Sequence, residues 1–584
     1  MRENYGKSWK QNQRPRFDDR PKHGTDQDLL ELLHGLDGSS YGAYKRVIGE
    51  WEYDSFRVFI DRIQADPYAP PSSVRIVSTP KEMGLPVETF STVEQRLATA
   101  DFLTRSLHES LRLDQRFRAV TVVAPGQEIL ERSAATVTEN RVELRIQVAM
   151  PARGRTILGH QAATIFDVEL PDAVLETIDF ISPHASDYLT KLVNHVHTYE
   201  DFCALQRQLN ENNWVSFIPN NAILARSSGI SELPMTDSVP FEAPLSLQQT
   251  VSLPHAGNIQ GMPILPGITV IVGGGYHGKS TVLSAIERGV YSHVPADGRE
   301  LVATIPSAMK VRAADGRPVA GVDISPFINH LPTGAATTRF STQNASGSTS
   351  QAASIIEALE VGSKLLLIDE DSSATNLMIR DARMRELVSA DQEPITALVD
   401  RIKGMSEARN ISLILVTGGS GAFLDVADHV LQMNNYVCED VTDRALEVAS
   451  AIPRERGDIP GFPDSLPRAP LGIKTPSGKS RTKASGLNSI TLDKQTIDVS
   501  DVEQIVEAGQ TEAIAWAIRA ILQTMANGEK SIQDLVYEVD QLIEKNGLDT
   551  FSKIGARRYP AFLTRPRPVD IAAALNRYRT LKIA

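Results

Sequence analysis

Residues 267–286 read GITVIVGGGYHGKSTVLSAI: an apolar run, a glycine-rich turn, then a segment of helical period. The turn has the spacing G-x-x-x-x-G-K-[ST], filled by Gly273, Gly278, Lys279 and Ser280. Each residue type answers a need of phosphate chemistry. Glycines let backbone N–H groups approach phosphate oxygens, the lysine places a charge on the outer phosphates, and the serine hydroxyl is a ligand for Mg²⁺. The strand before and the helix after are the context this motif requires, so Gly273, Gly274, Gly275, Tyr276, His277, Gly278, Lys279, Ser280 and Thr281 are expected to cradle the phosphates of ATP or a similar nucleotide. Lys279 is also expected to act on the transferred phosphoryl group.

Ninety residues later, SKLLLIDED is a continuous apolar run ending in acids, as expected of a buried parallel strand whose carboxyl end faces a ligand crevice. Asp369 is expected to hold Mg²⁺ together with Ser280, and Glu370, one step on, to polarise the attacking water as the catalytic base. Upstream, NASGSTSQ at 344–351 has the composition of a linker, yet Ser346 lies 23 residues before Asp369 with the helical stretch SQAASIIEALEVG between them.

That layout resembles the ABC ATPases. ASGSTSQ is similar to the family's signature, with Ser346 and Gly347 in matching places and Ser348 where a second glycine is usual; the glutamine comes later, at Gln351. DEDSSATN parallels the Walker B end and D-loop, placing Ser373, Ala374, Thr375 and Asn376 in that loop, with Asn376 at the usual aspartate. ISLILVTGGSGAF resembles the switch region, with Thr417, Gly418 and Gly419; Gly418 stands where histidine is usual. γ-Phosphate sensing is then expected from backbone N–H groups of GGSG or from another side chain, and turnover is expected to be slow. Asp323 in DISPFI is a candidate water contact.

These departures occur together in a small family of ABC-class ATPases that includes a mitochondrial RNA-editing-associated protein of kinetoplastids. The resemblance runs through DGSSYGAYKRVIGEWEY, IDRIQADPYAPPS, VRAADGRPV, LLLIDEDSSATNLMIRDARM and RPRPVDIAAALNRYR. It implies an ATPase with ATP and Mg²⁺ as cofactors and a homodimer in which Ser346, Gly347 and Ser348 complete the partner's site. It also implies a surface suited to RNA, and no transmembrane partner. Two other readings fit the same residues: a P-loop phosphotransferase with an unknown acceptor, and a nucleotide-gated protein-interaction module.

The expected fold class is α/β, an ABC-type P-loop core at 241–452 between an N-terminal α+β domain at 26–240 and a C-terminal helical domain at 488–584. Residues 1–25 read as a disordered basic tail, with seven Lys or Arg against three acids in the first 24 positions. Residues 453–487 read as a flexible basic linker rich in Pro, Gly and Ser. Arg141, Arg145, Arg153 and Arg155 are a candidate phosphate-contacting surface. The net charge of -12 excludes indiscriminate polyanion binding, and two cysteines in 584 residues exclude a disulfide framework. Without a long apolar run or secretory signal, a soluble intracellular protein is expected, cytoplasmic first, with mitochondrion or nucleus open.

Overall fold

The computed structural model describes residues 22–113, 118–182, 185–389, 392–452, 459–464, 466–474, 481–553 and 562–584. Its centre is a six-stranded sheet in the order Met309–Lys310, Leu365–Asp369, Ser412–Val416, Ile268–Val272, His429–Asn434, Val437–Asp440. Every pairing in it is parallel except the last hairpin. Parallel strands are buried on both faces and so read as unbroken apolar runs. Leu365 to Ile368 shows the consequence: Leu365 and Leu367 pack into one core, Leu366 and Ile368 into another, and all four are fully buried.

One of these cores holds helix Lys279–Arg288, through Val282, Leu283, Ala285 and Ile286, together with an antiparallel sheet of Gln249–Leu253, Gly257–Ile264, Ser216–Pro219 and Ala303–Thr304. The other holds helices Gly347–Glu360 and Leu398–Arg409. The fold class is the α/β P-loop architecture expected, with helices on both faces of a mostly parallel sheet.

The N-terminal region is built on a seven-stranded sheet in which Ser72–Ser78 and Val142–Val148 pair antiparallel, Val74 opposite Ile146 and Ile76 opposite Leu144. Helices Asp26–Gly35, Val93–Leu113 and Ser186–Glu211 share its core. The C-terminal region packs helices Ala508–Ala520, Ile532–Asn546 and Pro568–Asn576 around their own core and adds a three-stranded antiparallel sheet, Thr482–Ser485, Ser489–Leu492 and Gln495–Asp498.

Two segments differ from their expected character. Of the basic tail, residues 1–21 lie outside the described residues, but Lys22–Thr25 form a strand parallel to Gly49–Glu52, and Thr25 caps helix Asp26–Gly35 reciprocally with Asp28. Of the linker, Thr482–Ser485 is a strand, and Arg468 is 5% exposed, with Nε and Nη2 on Glu360 and Nη1 donating to Ala320 O at 2.9 Å. Pro, Gly and Ser content reports missing periodicity, not missing contacts. The surface proposed at 141–155 is also reduced: Arg141 pairs with Glu143, and Arg145 with Glu143 and, through two bonds of 2.7 and 2.9 Å, with Asp549. Arg153 and Arg155 remain exposed.

The N- and C-terminal regions are joined by a buried ionic cluster. Arg132 bonds Asp101 through Nη1 and Glu507 through Nε at 2.9 and 3.0 Å, while Arg105 and His195 also reach Asp101, at 2.6 and 2.9 Å. Burial raises the Asp101 carboxyl, but Arg105, Arg132 and His195 outweigh it and hold the group well below the usual carboxylate range. The stability this contributes is present above the unfolded carboxylate pKa and is lost as pH falls through the folded one. Replacing Arg132 by Ala takes the buried Glu507 carboxylate's ion pair away and leaves Asp101 to Arg105 and His195, and is expected to cost about 3–5 kcal/mol, measured by denaturant unfolding at neutral pH.

Candidate functional site

Backbone register brings the site together. Ile271 and Asp369 both pair with Val416, so the strands Ile268–Val272, Leu365–Asp369 and Ser412–Val416 end side by side. The next residues of the three chains are therefore Gly273, Glu370 and Thr417, and the glycine loop, the acids and the TGG segment share one edge of the sheet.

The loop closes on itself. Lys279 Nζ donates to Gly273 O at 2.9 Å and to Gly274 O at 2.8 Å, so the ammonium sits inside the turn that the motif predicted as a phosphate cradle. Gly273, at φ +144°, also passes so near the next strand that a Cβ would lie 2.3 Å from Met433 O. His277 is structural: its Nδ1 accepts from Asn435 N at 2.8 Å, and its carbonyl from Tyr436 N at 3.2 Å. Asn435 and Tyr436 both have positive φ, the two-residue hairpin turn that ties the loop to strands His429–Asn434 and Val437–Asp440. The NNY sequence was a legible turn signal, but nothing in it pointed to the loop.

Tyr276 and Ser280 are exposed, and Asp369 is half-buried. Ser280 and Asp369 offer only oxygen, the donor set Mg²⁺ takes, and among the described residues the Asp369 carboxylate is engaged only by Asp371 N at 3.3 Å. The residues fit that ion.

Glu370 is held by the segment that follows the neighbouring strand. Its Oε2 accepts from Gly418 N at 2.8 Å and Gly419 N at 3.1 Å, and lies 2.7 Å from Thr417 Oγ1. Burial raises the carboxyl, but these bonds and the Lys279 charge prevail and lower it below its ordinary 4.5. Two of the GGSG N–H groups expected at the γ-phosphate, those of Gly418 and Gly419, are bonded to Glu370 in this structure. Asp323 is likewise engaged locally, its Oδ1 accepting from Ser325 N at 3.0 Å.

Helix Gly347–Glu360 starts at Ser346, whose side chain makes no capping bond and lies 3.0 Å from Thr349 Oγ1 instead. The exposed start of this helix thus keeps backbone N–H groups and a positive dipole end available to an anion. Ser350 N, by contrast, is bonded to Ser346 O, and Ser348 is buried. Among the described residues no hydrogen bond joins 346–348 to the Lys279 loop of the same chain. Gln351, fully buried, donates to Ser373 Oγ at 2.9 Å and accepts from Ala374 N at 2.8 Å, and Ser373 donates to Asp369 O at 2.8 Å. The glutamine shift noted in the sequence therefore locks the helix to the SSAT loop, while Thr375 and Asn376 are exposed.

Three family models match in chain order: "ATPase of the ABC class N-terminal" at residues 26–179, the P-loop domain of ABC ATPases at 189–469, and "MRB1590 C-terminal domain" at 481–584. An uncharacterized protein of Methanocaldococcus jannaschii, MJ1628, is 30% identical over 244 residues; the match covers 40% of this chain and about half, 53%, of that relative's length. Two solved structures of MJ1267, an ATP-binding cassette of an ABC transporter, one of them in the ADP conformation, align at 11% and 10% identity with a TM-score of 0.23, covering 41% of this chain and 95% of theirs. With its N-terminal and P-loop regions both matched by models of that class, the chain belongs to the ABC-class ATPase family.

Proposed function

We propose that this protein binds ATP with Mg²⁺ at the Lys279 loop and hydrolyses it with Glu370 as the base. The observation that carries the reading is the junction of loop, acid and switch at adjoining strand ends, with Glu370 ionised by three donors. Gly273 to Thr281 hold the phosphates, and Lys279 exchanges its two carbonyl partners for phosphate oxygens. Ser280 and Asp369 hold Mg²⁺, which supplies charge neutralisation of the phosphates when bound. Glu370 orients and deprotonates water, and must leave Gly418 and Gly419 N–H at least in part to do so.

The site works as a homodimer. The helix N-terminus at Ser346, Gly347 and Ser348, which among the described residues makes no hydrogen bond to its own subunit's Lys279 loop, suits the γ-phosphate held by a second copy. Its nucleic-acid partner is RNA, a reading that rests on the family resemblance and on the exposed Arg153 and Arg155.

Replacing Glu370 by Gln is expected to lower ATP hydrolysis by about 10²–10⁴-fold while ATP binding persists; steady-state turnover beside equilibrium binding checks it, and full turnover removes Glu370 from the role. Because the Glu370 carboxyl is lowered, the acid limb of hydrolysis from its protonation should lie at lower pH than an unshifted glutamate would give. Thr417→Val removes one donor and should move that acid limb upward. In the Glu370→Gln background ATP should drive dimerisation in sedimentation runs, and Ser346→Arg should abolish it. RNA binding that falls with salt, and falls further on reversing Arg153 and Arg155 to Glu, tests the partner.

A further inference from the structure

Helix Ser186–Glu211 passes from one hydrophobic core to the next. Leu192 and Val196 are buried in the core of the N-terminal region, and Phe202, Leu205 and Leu209 in the core that holds helix Lys279–Arg288. At that crossing His197 and Glu200, three positions apart and so on one face of the helix, meet His255, which lies in the turn between strands Gln249–Leu253 and Gly257–Ile264. One ligand atom from each side chain lies within 4.8 Å of the other two. Among the described residues no other three His, Cys, Asp or Glu side chains come together in this way.

Neighbouring groups hold the cluster in place. Asp201, 4% exposed, accepts from His255 N through Oδ1 and from Ala256 N through Oδ2, both at 2.8 Å, which pins the turn to the helix. Glu200 Oε1 accepts from Gln95 Nε2 at 2.9 Å, and Glu200 Oε2 lies 2.9 Å from His255 Nε2. The His197 ring stacks on that of His255 at 3.7 Å between centroids, and its nitrogens make no hydrogen bond among the described residues. The side chains of His255 and Glu200 are 30% and 19% exposed, so an ion can reach them from solvent.

Two imidazoles and a carboxylate are a donor set that suits zinc and its transition-metal neighbours, whereas Mg²⁺ takes oxygen. Ligand atoms on a tetrahedral zinc, each about 2.0–2.2 Å from the ion, stand about 3.4 Å apart. The hydrogen bond between His255 and Glu200 is already close to that spacing. Exchanging its proton for the ion asks the two atoms to separate slightly and the His197 ring to open from the stack, and the proton leaves to solvent. We infer that His197, Glu200 and His255 bind one Zn²⁺, with Gln95 orienting the carboxylate through its other oxygen and water in the fourth position. The ion ties the Gln249–Ile264 hairpin to the helix where the two cores adjoin. It is separate from the oxygen-only pair Ser280 and Asp369, and its binding does not depend on nucleotide.

Calorimetric titration of the full chain with Zn²⁺, after metal is removed with EDTA and the chelator dialysed away, tests this in millimolar Mg²⁺, which fills oxygen-only sites. The wild-type protein should bind one equivalent with a Kd below about 1 μM. His197→Phe and His255→Phe each keep a ring in the stack and should lose that equivalent or weaken it at least about tenfold. Glu200→Gln keeps an acceptor for Gln95, should weaken binding in the same way, and stands if either ring substitution unsettles the fold. Hydrogen exchange tells this site from histidines elsewhere: Zn²⁺ should slow exchange of the amides of residues 254–257 in the wild-type protein and leave them unchanged in the variants. Failure of the wild-type protein to bind Zn²⁺ with that affinity overturns the inference. So does an equivalent that the variants retain, or one that leaves exchange at 254–257 unaltered, since it then belongs to other side chains.

Discussion

The parallel register of three central strands is the constraint on which the site depends. Peptide hydrogen bonds set Ile271 and Asp369 opposite Val416, and the two-faced burial of these strands makes that register hard to shift. A slip of one residue would send Leu365 and Leu367 into the core that Leu366 and Ile368 now fill, and the reverse. The chemical residues are the first ones past the strands. They inherit their positions from packing beneath them, and no side-chain contact among them has to be strong for the site to exist.

That inheritance matters most for Glu370. An exposed glutamate beside a phosphate site would be free to turn; this one is tied to backbone N–H groups whose own places are fixed by strand Ser412–Val416. The absence of a side chain at 418 does not leave the switch segment idle, since its amides take the carboxylate directly. Lowering the carboxyl keeps it ionised but also makes it a weaker base. On the hydrolytic reading proposed above, both the weaker base and the need to loosen its three bonds before attack favour a slow cycle.

The parts of the molecule legible in the sequence were those in which a local pattern carries the physics. The glycine spacing at 273–278 and the apolar run at 365–368 each contain their own explanation. Features made by distant partners were not legible. Arg145 looked like a free surface charge because Asp549, its partner, stands 404 positions away. Arg468 lies in a stretch of Pro, Gly and Ser, and its burial is decided by Glu360 and Asn576, which that stretch does not contain.

Gln351 illustrates an intermediate case. As a displaced signature residue it was visible in the sequence, but its meaning is supplied by geometry. It joins the helix that starts at Ser346 to Ser373 and Ala374, and Ser373 in turn holds the carbonyl of Asp369. The helix end proposed for a partner's phosphate and the acid proposed for the metal are thereby connected through two side chains, all bonded in the same chain. Such a connection does not by itself make a signal, which requires an element with two arrangements that both sites bias. It does limit how the two can move: a shift of the helix start either carries the SSAT loop and Asp369 with it or leaves a fully buried amide without partners, and the second alternative is the costly one.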